Sequence, residues 1–339
     1  MVIKMFDLYL VTGATGYLGN VLIKKLCAAG ARVRILVRSE RREVELPEKV
    51  ELVRGQVEDI SSLEAFFAGD MGNACLIHCA GVVSIVSGAD DRLQRVNVEG
   101  TKNIMDAAQE HGVGRVVYVS SVHAIPERPC GNAISEAERF SPELVVGGYA
   151  KSKAEATAYV LDAARRGLNV SVVHPSGIIG PYDNGLGSIT STIISYCRGK
   201  LPMGVSGGYD FVDVRDVADG IIACAQRGRA GECYILSNRY ASVREILGTV
   251  KTLVKGRRIL AYVPLGLVKL AAPLCERISL KKHKAPFLTP YSVYTLSSNA
   301  AFSHERASRE LGYRPRELRD TLSDMVQWLA ATGKIKLKA

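Results

Sequence analysis

The sequence predicts an α/β fold in which a parallel, doubly wound sheet is followed by a smaller C-terminal lobe. Short apolar stretches alternate with longer helical ones through the first half of the 339 residues, and this order is typical of a parallel sheet. The first strand also leads directly into a glycine-rich turn and a helix. With 47% hydrophobic and 23% charged residues, the composition is that of a globular protein with a substantial core.

Each predicted element follows from a local pattern. Apolar runs predict strands at residues 8–11, 32–37, 50–54, 75–81, 115–119 and 170–174. Helical patterns lie between them, at residues 20–30, 61–68, 97–111 and 149–166. Ligands of such sheets bind beyond the carboxyl ends of the strands, where Gly13, Ala80 and Ser121 fall.

The turn after the first strand resembles a dinucleotide-binding loop. Residues 12–19 place glycines at positions 13, 16 and 19, a spacing of three and three. Glycine lets the backbone approach a pyrophosphate, and the start of the next helix supplies free N–H groups and a positive dipole end. A plain tight turn is the alternative. We predict a Rossmann-type fold that binds a dinucleotide.

The end of the second strand bears on which dinucleotide is bound. NAD-binding sites often carry an acidic residue there, but this chain has Val37 and Arg38, with Arg41 and Arg42 shortly after. A guanidinium suits a 2′-phosphate, so NADP(H) is favoured and NAD(H) remains possible. The alternative is a solvent-exposed basic loop.

Tyr149 and Lys153 lie one helical turn apart and therefore on one face of the predicted helix. A phenol ionises near pH ~10, and a neighbouring cation lowers that pKa. The pair is therefore a candidate general acid/base for a carbonyl and its alcohol, although the same spacing also fits a solvated helix face. Ser121 ends the fifth strand at the same crevice, where its hydroxyl could hold a substrate oxygen. The chain has no Gly-x-Ser-x-Gly elbow, so a hydrolase triad is not supported.

The charge and the cysteine content indicate which partners to expect and in which cellular compartment the protein works. The net charge is +10, but the basic residues are dispersed and lack the aromatic-interleaved stripe of a nucleic-acid groove, so we expect no nucleic-acid partner. The eight cysteines include no Cys-x-x-Cys, and several lie in apolar runs. This indicates reduced thiols in a cytoplasmic protein, without a metal site or a disulfide framework.

No cleavable signal is recognisable at the N-terminus. The longest apolar stretch, residues 259–275, is interrupted by Lys269, Pro264 and Pro273 and is too short and broken for a membrane span. We expect it to form a helix that lines an apolar pocket, with peripheral membrane contact as the less favoured alternative.

Together these segments resemble an extended short-chain dehydrogenase/reductase, of the NAD-dependent epimerase/dehydratase superfamily, over nearly the whole chain. The resemblance is carried by Tyr149 with Lys153 and by residues 12–19, 77–80, 97–101, 119–121, 174–181, 211–218 and 310–315. It implies that Tyr149 is the general acid/base, that Lys153 lowers its pKa and binds the nicotinamide ribose, and that Ser121 orients the substrate carbonyl. Asn97 is implied to support the active-site framework.

The resemblance also implies a cofactor site and a division of the chain. The implied cofactor contacts are Gly13, Thr15, Gly16, Tyr17, Leu18, Arg38, Val57, Cys79, Ala80, Gly81, Tyr149, Lys153, Pro175, Gly177 and Ile178. Gln56 departs from the pattern, since many relatives have an Asp that contacts adenine there. Residues 1–175, completed by about 212–237, would bind the dinucleotide, and residues 176–211 and 238–339 would form the substrate lobe.

The residues near Ser121 indicate a branch of the family. Val122 and His123 stand where dehydratases carry carboxylates, and Ser176 follows the sixth strand where epimerases often have an Asn. Residues 37–38 and 140–144 resemble dihydroflavonol-reductase-like and 3β-hydroxysteroid-dehydrogenase-like members instead. Residues 259–275 and 286–291 would then form apolar walls, or equally the core of the lobe.

We therefore expect an NADP(H)-dependent oxidoreductase that interconverts a ketone and a secondary alcohol on a hydrophobic, cyclic, steroid- or flavonoid-like substrate. Ser121, Tyr149 and His123 are the candidate substrate contacts, with a bland loop histidine as the alternative for His123. The alternative functions are a nucleotide-sugar epimerase that retains NAD and, more distantly, a non-catalytic dinucleotide-binding scaffold. By resemblance we also expect a homodimer in which the helix at residues 97–111 pairs with the Tyr149 helix.

Overall fold

The computed structural model describes residues 6–38, 46–87, 90–254, 259–282, 286 and 288–337. In chain order its strands are β1 Leu8–Thr12, β2 Val33–Val37, β3 Val50–Arg54, β4 Ala74–His78, β5 Arg115–Val119, β6 Val170–Pro175, β7 Gly177–Ile179, β8 Met203–Val205, β9 Gly208–Asp213, β10 Cys233–Leu236, β11 Arg239–Ser242 and β12 Ala261–Val263. Its helices are α1 Tyr17–Ala28, α2 Gly100–Glu110, α3 Gly148–Arg165, α4 Ser188–Cys197, α5 Val214–Arg227, α6 Val243–Val254, α7 Leu265–Lys281, α8 Pro290–Ser297 and α9 Leu318–Ala331.

Among the described residues, seven parallel strands form the central sheet, in the order β10-β6-β5-β4-β1-β2-β3. The chain moves outward from β1 through β2 to β3 and then returns to the other side of β1 with β4. This reversal opens a crevice beyond the carboxyl ends of β1 and β4. The parallel, doubly wound sheet predicted from the alternation of strand and helix is confirmed.

Helices cover both faces of the sheet. Leu8 and Leu10 of β1 belong to a core shared with α2 and α3, whereas Tyr9 and Val11 belong to a second core shared with α1 and α5. Successive side chains of a strand point to opposite faces, so every residue of β1 is buried. This two-sided burial explains why the strands read as continuous apolar runs.

The smaller lobe follows β6, and its described residues form two minor sheets. One has the order β11-β9-β7, and β8 pairs with β12 in the other. The chain returns to the central sheet once more, because β10 pairs with β6. We propose that the predicted division of the chain holds on this basis, with β10 completing the dinucleotide-binding part.

The helix predicted at residues 61–68 is wrong. The structure has a single 3₁₀ turn, Ile60–Leu63, started by an Asp59 carboxylate that accepts from the Ser61 N–H. Phe66 and Phe67 are both fully buried, and the Arg34 guanidinium binds the carbonyl oxygens of residues 66 and 68. After Leu63 the chain continues as turns through Phe67.

Two segments that carry the family resemblance, residues 211–218 and 310–315, lie where α5 contacts the C-terminal part of the chain. The Asp213 carboxylate caps α5 by accepting from the Arg215 N–H at 2.8 Å. Arg316, just after residues 310–315, pairs with Asp216 at 2.7 Å. Because the Asp216 carboxylate is buried, loss of the Arg316 side chain would leave it without its ion-pair partner and would destabilise the fold by about 3–5 kcal/mol. These segments therefore serve the architecture.

Within the described ranges, no helix combines the length and apolarity needed to cross a bilayer. All eight cysteines lie in these ranges, and each is a free thiol.

Candidate active site

A cavity of about 570 Å³ lies at the carboxyl ends of β1, β4, β5 and β6 and continues beneath the smaller lobe. Most of the predicted site residues share its wall, namely Gly13, Gly16, Tyr17, Leu18, Cys79, Gly81, Ser121, His123, Tyr149, Lys153, Pro175, Gly177 and Ile178. Thr15, Arg38, Val57 and Ala80 are outside this wall. Its volume suits a ligand of drug size.

Two glycines of the turn, Gly13 and Gly19, have no room for a side chain. Gly13 has φ +68°, and a Cβ atom added to it would lie 2.6 Å from the Ala80 backbone nitrogen. A Cβ atom at Gly19 would lie 2.2 Å from the Gly13 carbonyl oxygen. The N-cap residue of α1, Gly16, offers no capping side chain, so the first N–H groups of α1 are available to an anion. These features fit a dinucleotide pyrophosphate.

The remaining predicted cofactor contacts have different surroundings. Thr15 lies half-buried in the glycine turn, and Ala80 lies against Gly13. Val57 is buried against Gly100 of α2, and its carbonyl oxygen accepts from the Asn103 side chain at 3.0 Å. Arg38 is exposed at the end of β2. Arg41 and Arg42 lie outside the described residues.

Tyr149 is positioned by an unusual start to α3. The residue before the helix, Gly147, has φ +96°, a backbone conformation that favours glycine. A Cβ atom there would lie 2.2 Å from the ring of Tyr291 in α8. The glycine therefore lets the first turn of α3 pack directly against α8, with Tyr149 buried in the cavity wall.

Burial raises the pKa of Tyr149 above its ordinary value, and a hydrogen bond with the Ser121 hydroxyl opposes that rise. The sequence prediction had Lys153 lowering this pKa, but in this structure the Lys153 ammonium donates to the Val119 carbonyl oxygen at 2.9 Å. It also lies 5.0 Å from the centre of the Tyr118 ring. Desolvation is therefore the larger influence on the Tyr149 pKa in this structure, and the lowering of that pKa by Lys153 stays a prediction.

Lys153 itself is almost completely buried. Burial lowers the pKa of its ammonium to about 8, and the neighbouring Cys79 thiol acts in the opposite direction. A Cβ atom at Gly81 would lie 3.3 Å from the Lys153 Nζ atom. Gly81 and Cys79 therefore lie beside the Lys153 ammonium.

Asn97 connects three parts of the site. Its side-chain oxygen accepts from the Val82 N–H at 2.7 Å, and its amide donates to the Val82 carbonyl oxygen at 2.9 Å and to the Ser152 hydroxyl at 3.0 Å. Ser152 in turn donates to the Tyr149 carbonyl oxygen at 2.8 Å. Asn97 belongs to the π-helical stretch Leu93–Glu99, and it joins the loop after β4 to the first turn of α3.

His123 lies between two tyrosines that sequence reasoning did not identify as partners. Its Nε2 atom is 3.3 Å from the Tyr209 hydroxyl, and its Nδ1 atom is 3.2 Å from the Tyr291 hydroxyl. Burial lowers the pKa of His123 to about 4, so the imidazole is neutral at pH 7. A neutral imidazole has one donor and one acceptor nitrogen, so one tyrosine donates to the ring and the other accepts from it.

His78 is a buried histidine with a structural role. Its two ring nitrogens lie 2.6 Å from the Thr12 hydroxyl and 3.1 Å from the Thr101 hydroxyl. Complete burial lowers the pKa of His78 to about 3. The residue joins β1, β4 and α2 without facing the cavity.

The wall of the cavity within the smaller lobe is mainly apolar. It includes Ile189, Leu201, Met203, Val205, Phe211, Val243, Leu247, Leu288 and Leu296. The wall expected from residues 286–291 is present in Leu288 and Tyr291, whereas Phe287 lies outside the described residues. The prediction that residues 259–275 line the pocket is wrong, because none of them is in the cavity wall. Val268 and Ala272 of α7 pack behind Val205 and Leu288, which do line it.

Comparison with known proteins decides the family. The model of the NAD dependent epimerase/dehydratase family matches residues 9–237. The chain belongs to this family. It is an extended short-chain dehydrogenase/reductase, an NAD(P)-dependent oxidoreductase, as the sequence motifs predicted.

Individual relatives cover almost the whole chain. The sequence is 33% identical to the sterol demethylase protein B of Methylococcus capsulatus over 96% of this chain and 99% of that protein. It is 32% identical to a putative dihydroflavonol 4-reductase of Synechocystis over 98% of both chains. The crystal structure of gox2253 matches with a TM-score of 0.83 at 30% identity, covering 97% of this chain and 100% of that one.

Proposed function

We propose that the protein is an NADP(H)-dependent oxidoreductase that interconverts a ketone and a secondary alcohol on a hydrophobic, cyclic substrate of steroid or flavonoid type. The observation that carries the proposal is the composition of the cavity. Its proton-carrying end holds Tyr149 and Ser121, and the rest of its wall is mainly aliphatic and aromatic. Such a wall favours an apolar ring system over a nucleotide sugar, whose many hydroxyls need polar partners. The names of the reductase and sterol relatives support the same class.

The bound nicotinamide would supply or accept a hydride at the carbonyl carbon. The glycine turn at residues 13–19 and the open N-terminus of α1 would hold the pyrophosphate. Pro175, Gly177 and Ile178 form an apolar, inflexible part of the wall at the end of β6, and we propose that they face the nicotinamide. Lys153, anchored to Val119, would contact the ribose.

The proton of the reaction belongs to Tyr149. Because burial raises the pKa of its phenol, Tyr149 is protonated at neutral pH and acts as the acid that protonates a reduced carbonyl oxygen. The Ser121 hydroxyl holds that oxygen beside the phenol and stabilises charge that develops on it. The ammonium of Lys153, still mostly charged at pH 7, would stabilise the phenolate that remains.

The preference for NADP(H) rests on Arg38. Its exposed guanidinium follows β2 at the position where NAD-binding relatives commonly carry an acid. A 2′-phosphate accepts two parallel hydrogen bonds from a guanidinium, whereas a bare ribose hydroxyl gains little from it. We propose NADP(H) as the preferred cofactor, with NAD(H) as the alternative.

The test begins with the nicotinamide content of freshly purified protein, followed by NADPH and NADH oxidation with steroid and flavonoid ketones. A dehydrogenase exchanges its cofactor every cycle, so we expect protein without retained cofactor that oxidises NADPH when a cyclic ketone is added. Tightly retained NAD, epimerisation of nucleotide sugars and no net turnover with ketones would identify an epimerase instead. Dinucleotide binding without turnover of either class would indicate a scaffold.

The homodimer through α2 and α3 stays a prediction. We propose that sedimentation equilibrium of the full chain will give twice the mass of one chain, and a single-chain mass would contradict it.

A further inference from the structure

Helix α7 carries its apolar face outward. Leu267, Leu270, Leu274 and Ile278 are spaced by three, four and four residues and therefore form one stripe. Their side chains are 60%, 80%, 62% and 44% exposed. In most surface helices such a stripe faces the core, and contiguous exposed apolar surface commonly marks an interaction site.

The opposite face of α7 is attached to the protein. Val268 and Ala272 are buried against Val205 and Leu288. The Glu276 carboxylate, also buried, accepts from the Ser87 N–H at 2.8 Å. The outward stripe is therefore not explained by a detached or inverted helix, because the inner face has its own apolar contacts and a buried polar anchor.

The charges around the stripe have one sign. Lys269, Arg277, Lys281 and Lys282 are exposed, and the single acidic residue among positions 265–282 is the buried Glu276. A surface that combines an apolar stripe with flanking cations matches the interface of an anionic bilayer, where leucines enter the acyl boundary and cations meet the headgroups.

We propose that α7 docks this protein on an anionic lipid surface, with the Leu267, Leu270, Leu274 and Ile278 stripe inserted. A second copy of the chain fits less well, because a twofold interface places each patch against itself. Arg277, Lys281 and Lys282 would then face like charges, with no exposed acid on the helix to neutralise them. A nucleic acid would satisfy the cations but leave the leucines in water.

Helix α7 is connected to the mouth of the cavity. Ser87, held by Glu276, closely follows Val83, Ser84 and Ile85 of the cavity wall, and Val83 is 73% exposed. The mouth of the cavity is therefore tied to the helix that meets the bilayer. An apolar ketone dissolved in the membrane could enter without crossing bulk water; this last step rests on the proposed function, whereas the lipid contact does not.

The test is flotation of the full chain with vesicles of phosphatidylcholine alone or with about one third phosphatidylglycerol. We expect binding to the anionic vesicles that weakens with added salt. The double variant Leu270→Gln/Leu274→Gln should bind at least about tenfold more weakly, since each leucine contributes buried apolar area. The matched control is Leu52→Gln, which changes a 51% exposed leucine of β3 and should bind like the natural chain.

Two further measurements keep the result decisive. The variant Arg277→Gln/Lys281→Gln/Lys282→Gln leaves the stripe intact and should lose the preference for anionic vesicles. Equal binding by the natural chain and both multiple variants would overturn the proposal. So would sedimentation showing that Leu270→Gln/Leu274→Gln dissociates a dimer in the absence of lipid. Turnover of a water-soluble ketone separates this proposal from the proposed function, because loss of docking should leave that turnover unchanged.

Discussion

The contact between Gly147 and Tyr291 gives a prediction whose magnitude follows from the structure. Replacement of Gly147 by Ala places a side chain at φ +96°, ψ 147°, a region that costs a non-glycine residue about 1–3 kcal/mol. The added Cβ atom would also lie 2.2 Å from the Tyr291 ring, and overpacking of this kind costs about 1–3 kcal/mol. We expect Gly147→Ala to lower the free energy of unfolding by about 2–6 kcal/mol.

Gly167→Ala is the matched control. Gly167 has φ +103°, and a Cβ atom there would meet no atom within 4 Å, so this variant introduces a side chain at a positive φ without a steric contact. Urea unfolding of both variants separates strain from contact. Because Tyr291 binds His123, Gly147→Ala should also raise KM for the ketone, whereas Gly167→Ala should leave it unchanged.

The decisive comparison uses a second substitution. In a Tyr291→Ala background the contact disappears, so Gly147→Ala should cost about 1–3 kcal/mol less than it costs in the natural chain. If Gly147→Ala costs the same free energy of unfolding in the natural and the Tyr291→Ala backgrounds, the direct packing of α3 on α8 is refuted.

Three further predictions concern charge and protonation. Burial raises the pKa of Asp210 from 3.8 to about 6, so ionisation of this carboxyl lowers the free energy of unfolding by about 3 kcal/mol above pH 6 and not at all below pH ~4. Asp210→Asn still accepts hydrogen bonds from Ser176 and Asn238, and it should become more stable relative to the natural chain as the pH rises from 4 to 7. An equal difference in stability at both pH values would contradict this. Arg38→Ala should raise KM for NADPH about tenfold or more, by loss of a charged hydrogen bond, and leave KM for NADH nearly unchanged; parallel changes would refute the assignment. The pKa of His123 is about 4, so kcat/KM should show no ionisation of this histidine near pH 6.5. His123→Phe leaves two tyrosine hydroxyls without their hydrogen-bond partner and should lower the free energy of unfolding by about 1–3 kcal/mol. A urea midpoint equal to that of the natural chain would contradict this.

Local sequence patterns were sufficient for the sheet and for much of the site. The parallel order of the strands brings all their carboxyl ends to one edge, so residues after different strands meet without any long-range information. Gly13, Gly81 and Ser121 were predictable in this way. Tyr149 followed from its spacing with Lys153 and from the other family motifs.

Tertiary packing decided the rest. Tyr209 and Tyr291 reach His123 from positions 86 and 168 residues further along the chain, and no local pattern marks either contact. The orientation of Lys153 depends on the carbonyl of Val119, which becomes available to it only when α3 packs on β5. For residues 259–275 the sequence left open a pocket wall or the core of the lobe, but in α7 the inner face is formed by Val268, Ala272 and Glu276 and the leucines lie outside.

The central claim is that Tyr149 transfers the proton, and the variant Tyr149→Phe tests it most directly. The variant keeps the ring and removes the hydroxyl; Tyr291→Phe is the control, because it also removes a tyrosine hydroxyl from the cavity wall. We predict that Tyr149→Phe lowers kcat for ketone reduction by about 10²–10⁴-fold while Kd for NADPH stays unchanged, and that Tyr291→Phe keeps most of kcat. Turnover by Tyr149→Phe within a few-fold of the natural chain would show that another group carries the proton and would contradict the account.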